Sequence, residues 1–103
     1  MAYNVITSSR AKMDMLEIAK YIATELYAPE AANNLLDDFE NQMADLTHMP
    51  KKFTLVSDER LARLGIRSVP VKNYIIFYVV SEHVSTVTII SVMYCRRDWA
   101  NLL

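Results

Sequence analysis

The chain has 103 residues, 52% of them hydrophobic, and a formal net charge of −1 at pH 7. That length suits one small domain over residues 1–103, and that apolar content excludes a disordered chain. One cysteine, Cys95, excludes an intrachain disulfide framework, and no apolar run reaches the ~18 residues a membrane span needs.

The first residues, Met1-Ala2-Tyr3-Asn4, lack the basic flank and apolar stretch of a signal peptide. Together with the single thiol, this leads us to expect a reducing cytoplasm and no membrane association. One glycine and three prolines leave little room for flexible linkers. The near-neutral total hides an asymmetry. Arg10 to Leu46 holds three Lys/Arg against eight Asp/Glu, a net of −5; Thr47 to Leu103 holds eight against four, a net of +4. The acidic half reads as solvated helix faces, whereas the basic half sets up a local field that attracts phosphate or an acidic partner.

Tyr3 to Thr7 alternates mildly and is a short strand. Ser8-Ser9 offers a serine oxygen to the free N–H groups of a first helical turn. A helix is expected from about Arg10 to Leu26, because Ala11, Met15, Ile18, Ala19, Ile22, Ala23 and Leu26 form one stripe at the helical period. Asp14, Glu17, Lys20 and Glu25 lie off that stripe.

Pro29 suits the first turn of a second helix, where its missing N–H costs nothing, and Glu30 favours the positive helix end. Ala32, Leu35, Leu36, Phe39, Met43 and Leu46 make the second stripe, and Pro50 is expected to end it. The two stripes form a helical hairpin whose shared apolar face needs a cover. Lys51-Lys52-Phe53 is a basic-aromatic patch, and Asp58 to Leu64 reads as a short helical turn.

From Gly65 the chain is dense in β-branched and aromatic residues, the composition of strands. Pro70 makes Ile66 to Val71 an edge strand or marks a bulge. Lys72-Asn73 is a tight turn in which Asn73 tolerates the left-handed conformation. In the next run, Tyr74, Ile76, Tyr78 and Val80 share one face, and Ile75, Phe77 and Val79 the other. After the polar break Ser81-Glu82-His83, the strand Val84 to Tyr94 is apolar on both parities. Val87, Ile89 and Met93 lie on one face and Ile90, Val92 and Tyr94 on the other, so this strand is central. Asp98 to Leu103 forms one or two helical turns.

The fold expected is α+β, in the order β-α-α-β-β-β: an N-terminal strand, a helical hairpin and a three-stranded antiparallel meander. The helices can cover one face only. The other apolar face then implies a concave surface or a bound partner.

No metal site is expected, since His48 and His83 stand without ligand spacing around them, and no cofactor loop exists around the single glycine, Gly65. Cys95 beside Arg96 and Arg97 reads as a strand-end cysteine. The residues with chemistry to offer are Arg67, Tyr94, Arg96 and Arg97, with Lys51, Lys52 and Lys72 nearby in sequence. Arginines grip a phosphodiester and stabilise charge developing on it. A tyrosine stacks on a base or moves a proton. The plain alternative is structural: Arg67 or Arg97 pairs with Asp98 or a helix carboxylate.

Gly65-Ile66-Arg67, Val71 to Tyr78, Val87 to Tyr94 and Arg96-Arg97-Asp98-Trp99 together resemble the RelE/ParE superfamily, the toxin halves of bacterial type II toxin–antitoxin modules. Ala11, Asp14, Ile18, Tyr21-Ile22, Ala31-Ala32, Leu46 and Pro50 extend the resemblance over nearly the whole chain. It implies a helical hairpin on a twisted antiparallel sheet and a cognate antitoxin in a hetero-oligomer; the apolar face without helices leads us to expect that an antitoxin segment wraps the chain and approaches Arg67 and Arg96.

The superfamily has two activities. RelE-like members are ribosome-dependent endoribonucleases that cut mRNA, whereas ParE-like members act on DNA gyrase. RelE-like members carry basic residues on the strand before the tyrosine and an arginine after it. Here Ile66 and Ser68 stand near the former positions and Ile75 follows Tyr74. The resemblance thus favours the ParE-like branch, a gyrase inhibitor of the plasmid-stabilising kind. It implies target or partner contacts at Arg67, Lys72, Tyr74, Tyr94, Arg96, Arg97 and Trp99. On the RelE-like alternative, Arg67, Tyr94 and Arg96 are the catalytic residues. A third reading is a non-toxic interaction domain of the same fold.

Overall fold

The computed structural model describes residues 2–103. Strand β1 (Asn4–Thr7) leads into helices α1 (Ser9–Thr24) and α2 (Pro29–Asp45). A short helix α3 (Glu59–Arg63), strands β2 (Arg67–Val71), β3 (Tyr74–Ser81) and β4 (Thr86–Tyr94), and helix α4 (Trp99–Leu102) complete the chain. The four strands form one sheet in the order β1-β4-β3-β2. β2, β3 and β4 make the expected antiparallel meander, and β1 joins β4 in parallel, with Thr7 opposite Ile89. β4 is therefore internal, and Pro70 sits on the edge strand, where no ladder needs its missing N–H.

Ser8 caps α1, its Oγ accepting from the Ala11 N–H and donating to the Ile90 carbonyl. The helix stops at Thr24, short of Leu26, which is 55% exposed. The chain turns at Tyr27, whose φ of +53° is left-handed, and the Ala28 N–H closes onto the Ile22 carbonyl. Pro29 opens α2 as its sequence position predicts. Pro50 does not end this helix. α2 stops at Asp45, with Leu46 as cap, and the Pro50 carbonyl instead accepts the buried Tyr78 hydroxyl at 2.7 Å.

The helix side of the sheet holds the larger core: Ala11, Ile22, Leu35, Phe39 and Leu46 pack on Val69, Ile76, Tyr78, Val87, Ile89 and Val92. The second face is not left bare, contrary to the expectation. Val56, Leu61, Ile66, Phe77 and Met93 form a second core there, joined by Ile75, Ile90, Trp99, Ala100 and Leu103. Its cover comes from α3 and α4, elements too short to declare a helical period. Two arginines tie α4 down: Arg10 donates to the Leu102 carbonyl at 2.9 Å and Arg60 to the Ala100 carbonyl at 2.8 Å.

The two faces of β3 are those expected. β4 differs, because its pairing with β3 slips between Phe77 and Tyr78, which face Ser91 and Ile89, so Ile90 has no partner. This bulge re-aims the side chains that follow. Val92 joins Val87 and Ile89 on the helix side, whereas Met93 joins Ile90 on the other. β4 begins at Thr86 rather than Val84, which sits exposed in the preceding turn.

Candidate functional site

Three hairpin and strand termini meet at one end of the sheet: the Lys72-Asn73 turn, the start of β3 and the end of β4. Here Tyr74 lies opposite Tyr94. Their rings meet edge to face at 5.8 Å, and Tyr74 also meets Phe39 edge-on at 6.1 Å. Helix α1 passes alongside and walls off a cleft of about 640 Å³. Asp14, Glu17, Ile18, Tyr21 and Leu26 line it from the helical side, and Tyr74, Val92, Tyr94 and Arg97 from the sheet.

The cleft has more acid and phenol than cation. Asp14 is committed: its Oδ2 accepts the Ser91 hydroxyl at 2.7 Å and the Val92 N–H at 3.0 Å. Burial pushes the Tyr74 phenol above its ordinary value, and the neighbouring Tyr94 and Tyr21 phenols push it the same way. The shift favours the neutral phenol. Arg97 reaches the cleft, and Arg96 next to it is exposed. Neither makes an ion pair among the described residues; Asp98 instead accepts from the Asn101 amide at 2.7 Å.

Arg67 stands elsewhere. It opens β2 opposite Tyr78, and Tyr78 lies opposite Ile89, five residues before Tyr94. Tyr94 itself faces Tyr74, four residues from Tyr78 on the unbulged β3, so at ~3.3 Å per residue the backbones of Arg67 and Tyr94 are roughly 13 Å apart along the strands, besides lying two strands apart. The Arg67 guanidinium is also occupied, donating to the Phe53 carbonyl at 2.7 Å. Around it, Lys51 and Glu82 form an ion pair. The basic residues of the second half therefore do not converge.

Lys72 and Trp99 have local roles. Lys72, rather than Asn73, takes the positive φ of the turn, at +54°. Its Nζ lies 3.2 Å from Asp38 Oδ2, within ion-pair reach but outside hydrogen-bond geometry, since that oxygen has no hydrogen-bond partner among the described residues. Trp99 packs its ring on Phe77 at 5.3 Å, in the second core. The positions where the resemblance places RelE-type cations hold apolar or small residues: Ile66 is buried and Ile75 is packed in that same core.

Sequence reasoning passed over the helical wall of the cleft. Asp14, Glu17 and Tyr21 follow at spacings of three and four, one helix face beside the apolar stripe, and that spacing is the signal that marks them. Among the described residues no group of three or more His, Cys, Asp or Glu side chains is placed to hold a metal ion, and no helix is long and apolar enough to cross a membrane.

A family model described as the ParE toxin of the type II toxin–antitoxin system parDE matches residues 5–99. No curated protein matches the sequence. Among solved structures, the chromosomal ParDE system of P. aeruginosa superposes with a TM-score of 0.73 at 16% identity, over 90% of this chain and 96% of that one. The RelBE2 toxin–antitoxin complex of Mycobacterium tuberculosis gives 0.64 at 19% identity, over 91% and 99%. A free arginine-substituted mutant of the E. coli toxin RelE gives 0.64 at 14%, over 99% and 93%. At these identities the structures speak to the fold, which the ParE and RelE types share.

Proposed function

This chain belongs to the ParE toxin family of type II toxin–antitoxin systems, and from that premise we propose that it is ParE-like in its target too, inhibiting DNA gyrase until a cognate antitoxin neutralises it. The observation that carries the target is the dispersal of the cations. A nuclease of the RelE kind must grip a phosphate, activate a 2′-hydroxyl and protonate a leaving oxygen at one spot. Here Arg67 is about 13 Å along the sheet and two strands across from Tyr94, and bonded to Phe53. Ile66 and Ile75 fill core where that chemistry needs charge. Each missing phosphate contact is worth a few kcal/mol in the transition state, on the order of a hundredfold in rate.

A protein target makes no such demand. A cleft of tyrosines lined also by Arg97, with Arg96 exposed next to it in the chain, suits a protein surface, where tyrosine and arginine anchor binding. A toxin of this kind serves a plasmid-stabilising or chromosomal module, and its antitoxin holds it in a hetero-oligomer in the cytoplasm. The test adds purified protein separately to a gyrase supercoiling reaction and to programmed ribosomes. Inhibited supercoiling with intact mRNA is the expected result. Cleaved A-site mRNA with gyrase untouched reverses the target and returns Arg67, Tyr94 and Arg96 to the position of catalytic candidates. Activity in neither assay, with no growth arrest on expression, leaves a non-toxic interaction domain.

A further inference from the structure

The sheet has two edge strands, β1 and β2, and the chain treats them differently. β2 is protected. Pro70 has no N–H to offer, and the segment before α3 lies along that edge. The Ser68 N–H donates to the Thr54 carbonyl, the Val56 N–H to the Ile66 carbonyl, and Leu55 bridges to Arg67. β1 lacks these devices. From Tyr3 to Thr7 it carries no proline and no charge, the features that keep an edge from pairing.

The bonds already made show which β1 groups are free. The N–H groups of Asn4 and Ser8 go to the Ser85 and Ile89 carbonyls, toward β4. Alternate residues of a strand direct their backbone groups to the same edge, so Val5 and Thr7 turn theirs outward. The Tyr3 N–H also points outward, but the Thr47 carbonyl takes it at 2.7 Å. The N–H and C=O of Val5 and of Thr7 have no hydrogen-bond partner among the described residues.

We propose that β1 pairs with β1 of a second copy of this chain, antiparallel about a two-fold axis at Ile6. The free groups fix the register. An axis at Val5 would set Thr7 opposite Tyr3 and break the bond to Thr47. An axis at Thr7 would set Val5 opposite Ser9, which is already helical. At Ile6, Val5 faces Thr7 of the other copy, and each such pair exchanges both of its N–H···O bonds. Every free outward group of Val5 and Thr7 is then used. A two-fold axis sets the same strand against itself, so a charged strand would meet its own charge; this one has none. Ile6, 47% exposed, meets Ile6 of the second copy at a non-hydrogen-bonded site, where side chains are closest. Exposed Met49 and Val84 flank the strand, two residues past Thr47 and one before Ser85. So short an interface implies a dissociation constant on the order of micromolar or weaker. The clefts beside Tyr94 then lie toward opposite ends of the joined sheet, so the dimer presents two of them.

This inference does not rest on the toxin reading. Sedimentation velocity of the purified chain is followed over a hundredfold concentration range around ~10 μM. A monomer–dimer equilibrium is expected. On concentration, the Val5 and Thr7 amides should slow in exchange about tenfold or more, while the Ala2 amide is unchanged. Ile6→Lys sets two like charges across the axis and should abolish the dimer, whereas Leu64→Lys, at an exposed position after α3, leaves it intact. Both positions are exposed, so folding is retained and is checked by melting. Register is read by crosslinking in a Cys95→Ser background, which removes the one native thiol. Ile6→Cys should oxidise to a covalent dimer, because facing Cα atoms lie about 4.5 Å apart at such a site. Asn4→Cys should not, because its counterpart lies roughly 13 Å away, beyond disulfide reach. A chain that stays monomeric throughout, with no crosslink from Ile6→Cys, overturns the proposal. So does a dimer that survives Ile6→Lys and crosslinks no better through Ile6→Cys than through Asn4→Cys. Protection of the Val5 and Thr7 amides only when a different protein is added overturns the assignment to a second copy.

Discussion

Arg67 and Arg96 are one residue type in two physical situations. Arg67 is half-buried and donates to the Phe53 carbonyl, whereas Arg96 is exposed with no partner among the described residues. Replacing Arg96 with Ala should change stability by less than about 0.5 kcal/mol and reduce toxicity. Replacing Arg67 with Ala should cost on the order of 1–3 kcal/mol, because a charge-assisted bond is lost and a carbonyl is left unpaired. Urea melts of the two variants, beside a growth-arrest assay, separate the effects. Tyr74 and Tyr78 carry the pH dependence. Burial is the first cause raising both phenols, opposed at Tyr78 by the Arg67 charge. The folded chain then holds these protons where the unfolded chain releases them. Their contribution is complete below the ordinary phenol value of 10.0 and is lost as pH rises through the raised values. Stability should fall as pH rises above 10.0, and Tyr74→Phe should fall less steeply. Denaturant melts across that range test it, and an unchanged slope in the variant counts against Tyr74.

The elements were legible where a pattern repeats. The two helical stripes and the alternation in β3 each run long enough to declare a period, and Ser8 and Pro29 mark where the helices begin. Failures came where one local geometry breaks a period. Nothing in Ile89-Ile90-Ser91 announces a bulge, since every residue there suits a strand, yet the bulge decides which face Val92 and Met93 meet. The connection between the helices also goes against local preference. Tyr27 is 88% exposed and left-handed, a conformation that costs a residue with a Cβ roughly 1–2 kcal/mol. Tyr27→Gly removes that cost and gives back ~0.4–1 kcal/mol through the freer unfolded chain. A net gain of about 0.5–1 kcal/mol is expected, read as a higher urea midpoint with an unchanged slope. A loss of stability would mean that the Tyr27 ring makes contacts its exposure does not suggest.

At the scale of the molecule, a four-residue helix closes the second face of the sheet. Trp99 stacks on Phe77, Leu103 fills beside it, and Arg10 and Arg60 hold the backbone of α4 from two other elements. Trp99→Ala should therefore cost about 2–3 kcal/mol, below the range for a fully enclosed aromatic because Trp99 is half-buried. Leu64→Ala, at an exposed position, should stay within about 0.5 kcal/mol. Thermal melts of both check the assignment, and a stable Trp99→Ala variant would move the second core's weight onto Ile66, Phe77 and Met93.

The order of elements, the hairpin of acidic helices, the edge position of Pro70 and the family resemblance all follow from the sequence by itself. Each rests on local period, on single-residue backbone limits or on an ordered set of residues along the chain. The assembly of the cleft does not. Asp14 and Val92 are 78 positions apart, and only the passage of α1 across the end of β4 brings the carboxylate to that strand edge. Arg67 and Arg96 read as one basic group because both bracket the same run of strands in the sequence. An antiparallel ladder sets opposite strand ends far apart, and pairing register, which depends on the whole sheet closing around its two cores, decided that they are not neighbours.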